Sequence, residues 1–338
     1  MRFALPLSAL SLSAVLFGCV GDSQPGSAVN AQTPPLPDST YLEDLTDCPP
    51  PQCFEARIPT LDGVTVTDNR VRIILPADYA RSDRAWPVLY LLHDAPGDVT
   101  TWTETGQVFT LLKDLPLIAV MPDGGGGDPG WYSDWEDGSF QWQTYHMEVM
   151  LPYLEQHLRV GDAPLRAIAG PSMGGYGAMQ YSALYPGRFV AAAGFSGAVD
   201  FLHLERASAL YAFLAGFTGV APSNAIWGDP VTNYPRWQAQ DPGSRVENLL
   251  GMQIFLSCGN GLPGGPHENL PAGLPEYAIE PVLLTMNRSF QSTLASAGIR
   301  HDTLFYGPGY HNWPYYRDGF EWALPKLLDA LGINELSR

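Results

Sequence analysis

Short apolar runs alternate with amphipathic segments from about residue 57 to the end of the chain. Continuous apolar runs are typical of parallel strands buried on both faces, and the intervening segments have helical spacing. The alternation predicts an α/β fold with a mainly parallel central sheet and helices on both faces. The predicted strands are 70–75, 87–92, 117–121, 165–168, 189–195, 252–256 and 301–306, and the predicted helices are 102–113, 140–157, 176–185, 201–219, 280–297 and 317–331, of which 201–219 is a helical insertion.

The turn after the predicted strand 165–168 carries the first chemical signal. Residues 169–175 read AGPSMGG, so that Ser172 is flanked by glycines between a strand and a helix. A serine on such a tight turn is a nucleophile elbow, and glycines allow the strand and helix to cross closely. The start of the helix would place the backbone N–H of Met173 beside the serine oxygen, as half of an oxyanion hole. The alternative is a glycine-rich turn with a bystander serine.

A serine nucleophile needs a base and a carboxylate that orients the base. The histidines that follow Ser172 are His203, His267, His301 and His311. His311 comes just after the carboxyl end of the last predicted strand, at the sheet edge where Ser172 also lies. His301 is at the opposite end of that strand. The sequence therefore predicts His311 as the general base.

The residues leave the orienting acid open. The loop after the penultimate strand reads SCGNG over 257–261, and Asn260 cannot hold an ionised carboxylate. Glu280 is predicted to begin a helix, with Pro281 in its first turn. Glu276 lies four residues earlier, and spacing does not separate the two.

Composition limits the partners. The 338-residue chain has 18 basic and 35 acidic residues, a net charge of −17. No basic face is available for nucleic acid, and charge does not favour an anionic membrane surface. No His, Cys and Asp cluster has metal-ligand spacing, so no metal or cofactor is implied.

The first residues predict export. One arginine precedes an apolar stretch over residues 3–17, too short for a stable span. Its end, LFGC over 16–19, resembles a lipobox with Cys19 as the acylated residue; an ordinary signal peptide cleaved near residue 28 or 31 is the alternative. We assign 1–19 to the signal peptide, 20–56 to a flexible tether whose Cys48 and Cys53 could form a disulfide, and 57–338 to the catalytic domain.

Several motifs together resemble the esterase D-like branch of the α/β-hydrolases, and within it the secreted mycobacterial mycolyltransferases. The resemblance covers roughly residues 58 to 330. The matching motifs are YLL (90–92), MPDGG (121–125), YSDW (132–135), SM (172–173), CGNG (258–261), FQ (290–291) and HNWPYY (311–316).

The resemblance implies an α/β-hydrolase fold and further site residues. In the mycolyltransferases the acid is a glutamate ten residues before a Phe-Gln pair, which matches Glu280. The second oxyanion donor maps to the backbone N–H of Ala95. The acidic residue and arginine that hold the sugar acceptor are replaced by His93 and Pro96. Candidate substrate-binding residues are Tyr132, Asp134, Trp135 and Trp313.

Together these residues predict an exported serine esterase with Ser172, His311 and Glu280 as its triad and an acyl lipid, an acylated sugar or a similar ester as substrate. An acyltransferase that moves the acyl group to a sugar or lipid alcohol is the nearest alternative. A surface binding protein on a hydrolase scaffold is less favoured, because the Ser, Glu and His set is intact.

Overall fold

The computed structural model describes residues 36–42, 51–125, 130–161, 163, 165–203, 224–268 and 273–333. The strands in these residues form one nine-stranded sheet with the order β1-β2-β3-β5-β4-β6-β7-β8-β9. Their bounds are β1 Ser39–Tyr41, β2 Cys53–Arg57, β3 Arg70–Ile74, β4 Val88–Leu91, β5 Ile118–Pro122, β6 Arg166–Pro171, β7 Ala191–Phe195, β8 Gln253–Cys258 and β9 Arg300–Phe305.

Within the described residues, three long helical segments pack against the sheet. They are the elbow helix Met173–Leu184, the Glu280 helix Leu274–Ser296 and the last helix Trp313–Ala330. A fourth segment continues without a break through Trp142–Thr144, a π-helical part Tyr145–Met150 and Leu151–His157. The shorter α-helices are Thr101–Glu104, Phe109–Leu112, Asn224–Trp227 and Tyr234–Gln240, and the 3₁₀ helices are Tyr79–Arg81, Phe201–His203 and Gly243–Leu249.

The six strands β5, β4, β6, β7, β8 and β9 are parallel, and β1, β2 and β3 add an antiparallel edge. Alternate residues of one strand face opposite cores: Val88 and Tyr90 belong to one apolar cluster, whereas Leu89 and Leu91 belong to the other. Because each cluster also contains helical residues, both faces are covered. The predicted parallel sheet with helices on both faces is confirmed.

The sheet includes part of the segment predicted as a flexible tether. β1 and β2 both lie within 20–56 except for Arg57, and β2 pairs with β3 from Cys53 to Arg57. Leu36, Cys53 and Phe54 are buried, which anchors this stretch to the core. The tether prediction is therefore wrong for these residues. It rested on the Pro- and Ser-rich composition of the segment, which outweighed its few apolar residues. Cys53 is disulfide-bonded to a partner outside the described residues, and its predicted pairing with Cys48 stays a prediction.

Two predicted helices differ from the structure. The segment predicted as one helix over 102–113 forms two short helices, because Gln107 takes a left-handed φ of 50° and Gly106 passes against the Trp313 ring. The Glu280 helix begins at Leu274 rather than at residue 280. The predicted leader (1–19) and most of the helical insertion (201–219) lie outside the described residues. No helix in the described ranges is both long and apolar enough for a membrane span.

Candidate active site

Ser172 lies on a sharp turn between β6 and the elbow helix. Its backbone has φ 50° and ψ −118°, a left-handed φ that residues other than glycine rarely adopt. The flanking glycines are required by space: a Cβ at Gly170 would lie 2.4 Å from the backbone of Gly174, and one at Gly174 would lie 2.4 Å from the Leu92 carbonyl oxygen. The turn has the geometry of a nucleophile elbow.

His311 joins Ser172 to Glu280 in one line of hydrogen bonds. The Ser172 Oγ lies 2.8 Å from His311 Nε2, and His311 Nδ1 lies 2.9 Å from Glu280 Oε2. With Glu280 ionised, Nδ1–H donates to the carboxylate, which leaves Nε2 as the acceptor for the serine hydroxyl. All three side chains are buried. The backbone N–H of His311 donates to the Glu276 carbonyl at 3.1 Å, which ties the histidine loop to the Glu280 helix.

The second carboxylate oxygen of Glu280 is held by the ends of β7 and β8. Its Oε1 accepts hydrogen bonds from the Ser196 hydroxyl at 2.6 Å and the Gly259 backbone N–H at 2.8 Å, and it lies 3.4 Å from the Cys258 sulfur. Burial raises the pKa of the Cys258 thiol, and the neighbouring Glu280 raises it further, so the thiol keeps its proton. One oxygen of Glu280 is thus fixed, and the other faces His311.

Glu280 occupies a different helix position from the predicted one. The Glu280 helix starts at Leu274 with Pro275 and Glu276 in its first turn, and Pro281 lies inside the helix. Pro275 with Glu276 and Glu280 with Pro281 are both combinations typical of a helix start, and the helix begins at the earlier of the two. The choice between the two acids is nevertheless clear in the geometry, because the carboxylate of Glu280 contacts His311 and Glu276 contacts the loop through its backbone.

The two predicted oxyanion donors lie near the serine and the histidine. Met173 is the first residue of the elbow helix, so its N–H is among those that have no acceptor within the helix. Ala95 lines a pocket beside His311, in the loop that follows β4. Their N–H groups stay predicted donors for a developing oxyanion.

His93 supports the loop that carries Ala95. Its ring is buried, and the Gly124 backbone N–H donates to Nε2 at 2.7 Å. The other nitrogen, Nδ1, therefore carries the proton and donates to the Asp94 carbonyl at 2.7 Å. Because both ring nitrogens are hydrogen-bonded, the His93 side chain is committed to the protein's own backbone.

Tyr132 is a core residue, which corrects its predicted role in substrate binding. Its ring is fully buried, and a Cβ at Gly124 or Gly177 would lie 2.6 Å from it. Its hydroxyl donates to the His93 carbonyl at 3.0 Å, and burial raises the pKa of this phenol well above its ordinary value. Tyr132 thus holds the loop that carries His93 and Ala95 in place.

Asp134 and Trp135 also have structural partners. Asp134 accepts hydrogen bonds from the backbone N–H and the hydroxyl of Thr144, at 3.0 and 2.6 Å. The Trp135 indole N–H donates to the Gly130 carbonyl, and its ring packs edge-on against Phe140. Neither residue lines the pocket beside His311, so the structure does not bring these two predicted residues to it.

Trp313, by contrast, does line this pocket. The pocket has a volume of about 330 Å³, close to the lower end of the range for small-molecule sites. The Trp313 indole N–H donates to Asp94 Oδ1 at 3.2 Å. The lining residues are Asp94, Ala95, Pro275, Glu276, His311, Asn312, Trp313 and Tyr316.

Sequence reasoning missed Ser196, Gly259 and Asp94. Ser196 follows β7 with a left-handed φ of 51°, and Gly259 follows β8. Both lie at the carboxyl edge of the parallel strands, so the rule that located His311 could also have found them. Within the described ranges, no group of three or more His, Cys, Asp or Glu residues could hold a metal ion.

Comparison with known proteins relates this site to esterases. The family model described as "Putative esterase" matches residues 64–327. An esterase of Mycobacterium tuberculosis strain H37Rv, Rv1288, is 34% identical over 248 residues, which cover 69% of this chain and 50% of that protein. The chain therefore spans about half the length of this relative. The diacylglycerol acyltransferase/mycolyltransferase Ag85C of Mycobacterium avium is 30% identical over an alignment that covers 72% of this chain and 70% of that protein.

Solved structures show the same fold. Mycobacterium tuberculosis MPT51 (FbpC1) superimposes with a TM-score of 0.65 at 22% identity, covering 81% of this chain and 97% of MPT51. An S-formylglutathione hydrolase from Agrobacterium tumefaciens gives a TM-score of 0.62 at 19% identity, covering 83% and 95%. At these identities the likeness shows the α/β-hydrolase fold alone.

Proposed function

Since the chain belongs to the esterase family, with mycolyltransferases among its relatives, we propose that it hydrolyses carboxylic esters through an acyl-enzyme formed on Ser172. Ser172 is the nucleophile, His311 the general base and then the general acid, and Glu280 the orienting carboxylate. The observation that carries the proposal is the unbroken hydrogen-bond line from Ser172 Oγ through His311 to Glu280, at 2.8 and 2.9 Å.

In the proposed reaction, Ser172 Oγ attacks the ester carbonyl carbon while its proton passes to His311 Nε2. The negative charge on the carbonyl oxygen is stabilised by the N–H groups of Met173 and Ala95, each typically worth about 3–4 kcal/mol. His311 then protonates the leaving alcohol as the C–O bond breaks. Water repeats the sequence on the acyl-enzyme and releases the carboxylic acid and the free serine.

Replacement of the nucleophile tests the proposal. Ser172→Ala is expected to lower kcat for p-nitrophenyl esters by roughly 10⁴- to 10⁶-fold while the fold is retained. A fluorophosphonate probe should label Ser172 in the wild type and leave the variant unlabelled. Full activity of the variant, or a label on another serine, would remove Ser172 from the mechanism.

The acyltransferase alternative is favoured by the 30% identity to a protein named diacylglycerol acyltransferase/mycolyltransferase. It differs only in the alcohol that replaces water on the acyl-enzyme. An acceptor alcohol must compete with water through dedicated contacts, whereas His93 here is bonded to the protein's own backbone and Pro96 stands where the family has arginine. Product analysis with an acyl ester and millimolar trehalose or glucose should therefore show mainly free acid; mainly acylated sugar would establish transfer.

Export is part of the same proposal. The amino-terminal pattern indicates a signal peptide with a lipobox at Cys19, in residues outside the described ranges. The disulfide bond of Cys53 supports an oxidising compartment. We infer that the protein functions outside the cytosol, with Cys19 as its lipid-anchoring residue.

A further inference from the structure

The pocket beside His311 has an unusual charge pattern. Its lining includes two acidic side chains, Asp94 and Glu276, and the indole of Trp313, but no lysine or arginine among the described residues. Carboxylates beside an aromatic face are the groups that bind organic cations. This pattern therefore favours a positively charged group as the ligand of the pocket.

Asp94 forms no salt bridge within the described residues. Among the described side chains, the Trp313 indole N–H donates to its Oδ1 at 3.2 Å. Burial raises the pKa of Asp94, although His93 and His311 act in the opposite direction. A positive ligand would supply the missing charge.

Glu276 offers a second unsatisfied acceptor. Its Oε2 is buried and has no hydrogen-bond partner in the described part of the chain. A buried carboxylate oxygen without a partner is costly, and most such groups in native structures are bonded. This observation is independent of the charge of Asp94, and Glu276 is a lining residue of the same pocket.

The position of His311 identifies which part of the ester enters the pocket. In the proposed reaction, His311 Nε2 gives its proton to the leaving alcohol, so the alcohol lies against His311. His311, Asp94, Glu276 and Trp313 line one pocket. The alcohol part is therefore the part that meets the two carboxylates.

We propose that the enzyme prefers esters whose alcohol part carries an ammonium group, bound between Asp94, Glu276 and Trp313. The inference rests on the proposed esterase function and names its substrate class. The carboxylates provide the charge attraction, and the indole face provides a cation–π contact. The same charges disfavour esters of anionic alcohols.

A matched pair of esters tests this inference. Choline butyrate and 3,3-dimethylbutyl butyrate have the same shape and differ by a charged nitrogen in place of a carbon. We expect the ratio of their kcat/KM values, divided by the ratio of their rates with hydroxide, to favour choline butyrate by about tenfold, the size of a close charge interaction. Division by the hydroxide rates removes the intrinsic difference in reactivity.

Charge-neutral variants locate the preference. Glu276→Gln and Asp94→Asn should each lower the corrected ratio by roughly threefold or more, because each removes one negative charge from the pocket. The control Asp302→Asn removes the same charge from an exposed residue on β9 that does not line the pocket, and should keep the wild-type ratio. The ratio is compared within each variant, so a change in overall rate does not affect it.

The outcomes separate the two proposals. If the wild type cleaves both esters through Ser172 with a corrected ratio near one, the cationic preference is wrong and the esterase function stands. A preference that survives both variants would overturn the role of Asp94 and Glu276. If neither ester nor a p-nitrophenyl ester is cleaved in a Ser172-dependent manner, the proposed function itself fails.

Discussion

The side chain with the clearest influence on the proposed triad, besides its own members, is Ser196. Its hydroxyl donates to Glu280 Oε1 at 2.6 Å, and its left-handed backbone aims it at the carboxylate. A hydrogen bond to a charged acceptor is stronger than one between neutral groups. Ser196 therefore acts on His311 through Glu280 as a positioning residue.

Ser196→Ala should lower kcat by roughly 10- to 100-fold with little change in KM, since a hydrogen bond to a charged group contributes about 1.5–3 kcal/mol. The acid limb of the kcat profile should move to higher pH, because the carboxylate that orients the base then has one hydrogen-bond donor fewer. Steady-state kinetics between pH 5 and 9 measure both effects. The comparison variant is Cys258→Ala, which removes the weaker S–H donor from the same oxygen and should cost less. Equal losses, with unshifted pH profiles, would make Ser196 merely structural.

At the residue scale, sequence reasoning predicted Ser172, because the glycines around a strained turn are visible in the chain. It also predicted His311 from its place after the last strand. It misassigned Tyr132 and Trp135 because an aromatic residue in a motif has the same letter whether it faces substrate or core. Only packing, such as the contact of Tyr132 with Gly124 and Gly177, separates the two cases.

Among the elements, the helical segment 142–157 has a buried ionisable group at its π-helical part. The Tyr181 hydroxyl lies 2.8 Å from His146 Nδ1, and the Asp123 carbonyl lies 2.7 Å from Nε2. The carbonyl only accepts, so Nε2 carries the proton and Nδ1 accepts from the tyrosine. Burial lowers the pKa of His146 from 6.5 to about 3. The helical segment 142–157 therefore contains a buried imidazole that is neutral in the folded protein.

Acid should destabilise the fold through His146. Below pH 6.5 His146 binds a proton in the unfolded chain, whereas in the folded chain it stays neutral down to about pH 3. The stability of the fold therefore falls as the pH falls through this window. At about 1.4 kcal/mol per pH unit, the loss from this group between pH 7.5 and 5 is about 2 kcal/mol. Urea unfolding of wild type and His146→Gln at both pH values measures it. The variant is expected to be less stable at pH 7.5 but to lose about 2 kcal/mol less on acidification; identical losses would contradict the assignment.

Element boundaries were less predictable than element types. The strands and their parallel order follow from continuous apolar runs, and β4, β5 and β6 match their predicted ranges within a few residues. The Glu280 helix begins earlier because Pro275 and Pro281 are equivalent start signals in the sequence, and contacts with the histidine loop favour the first. The π-helical part Tyr145–Met150, which contains the buried His146, has no sequence signal that distinguishes it from an α-helix.

For the whole molecule, the acidic balance agrees with the chemistry of the pocket. The net charge of −17 produces a negative potential that raises the local concentration of cations and repels anions. The charge that disfavours nucleic acid therefore also favours the approach of an ester with an ammonium group. The net charge of the chain and the carboxylates of the pocket therefore both favour the binding of the proposed cationic esters.

The proposed anchor is a property of the whole chain and is tested by Cys19→Ser. Two or more acyl chains hold a protein stably on a membrane, whereas one gives marginal binding. Wild type is expected in the membrane fraction after a high-salt wash, because the attachment is hydrophobic; the variant is expected in the soluble fraction or with its leader uncleaved. The control Cys258→Ser changes a buried free cysteine and should stay membrane-bound. Mass spectrometry of the mature amino terminus decides the matter: an acylated Cys19 supports the anchor, and an unmodified terminus beyond residue 19 identifies a freely secreted enzyme.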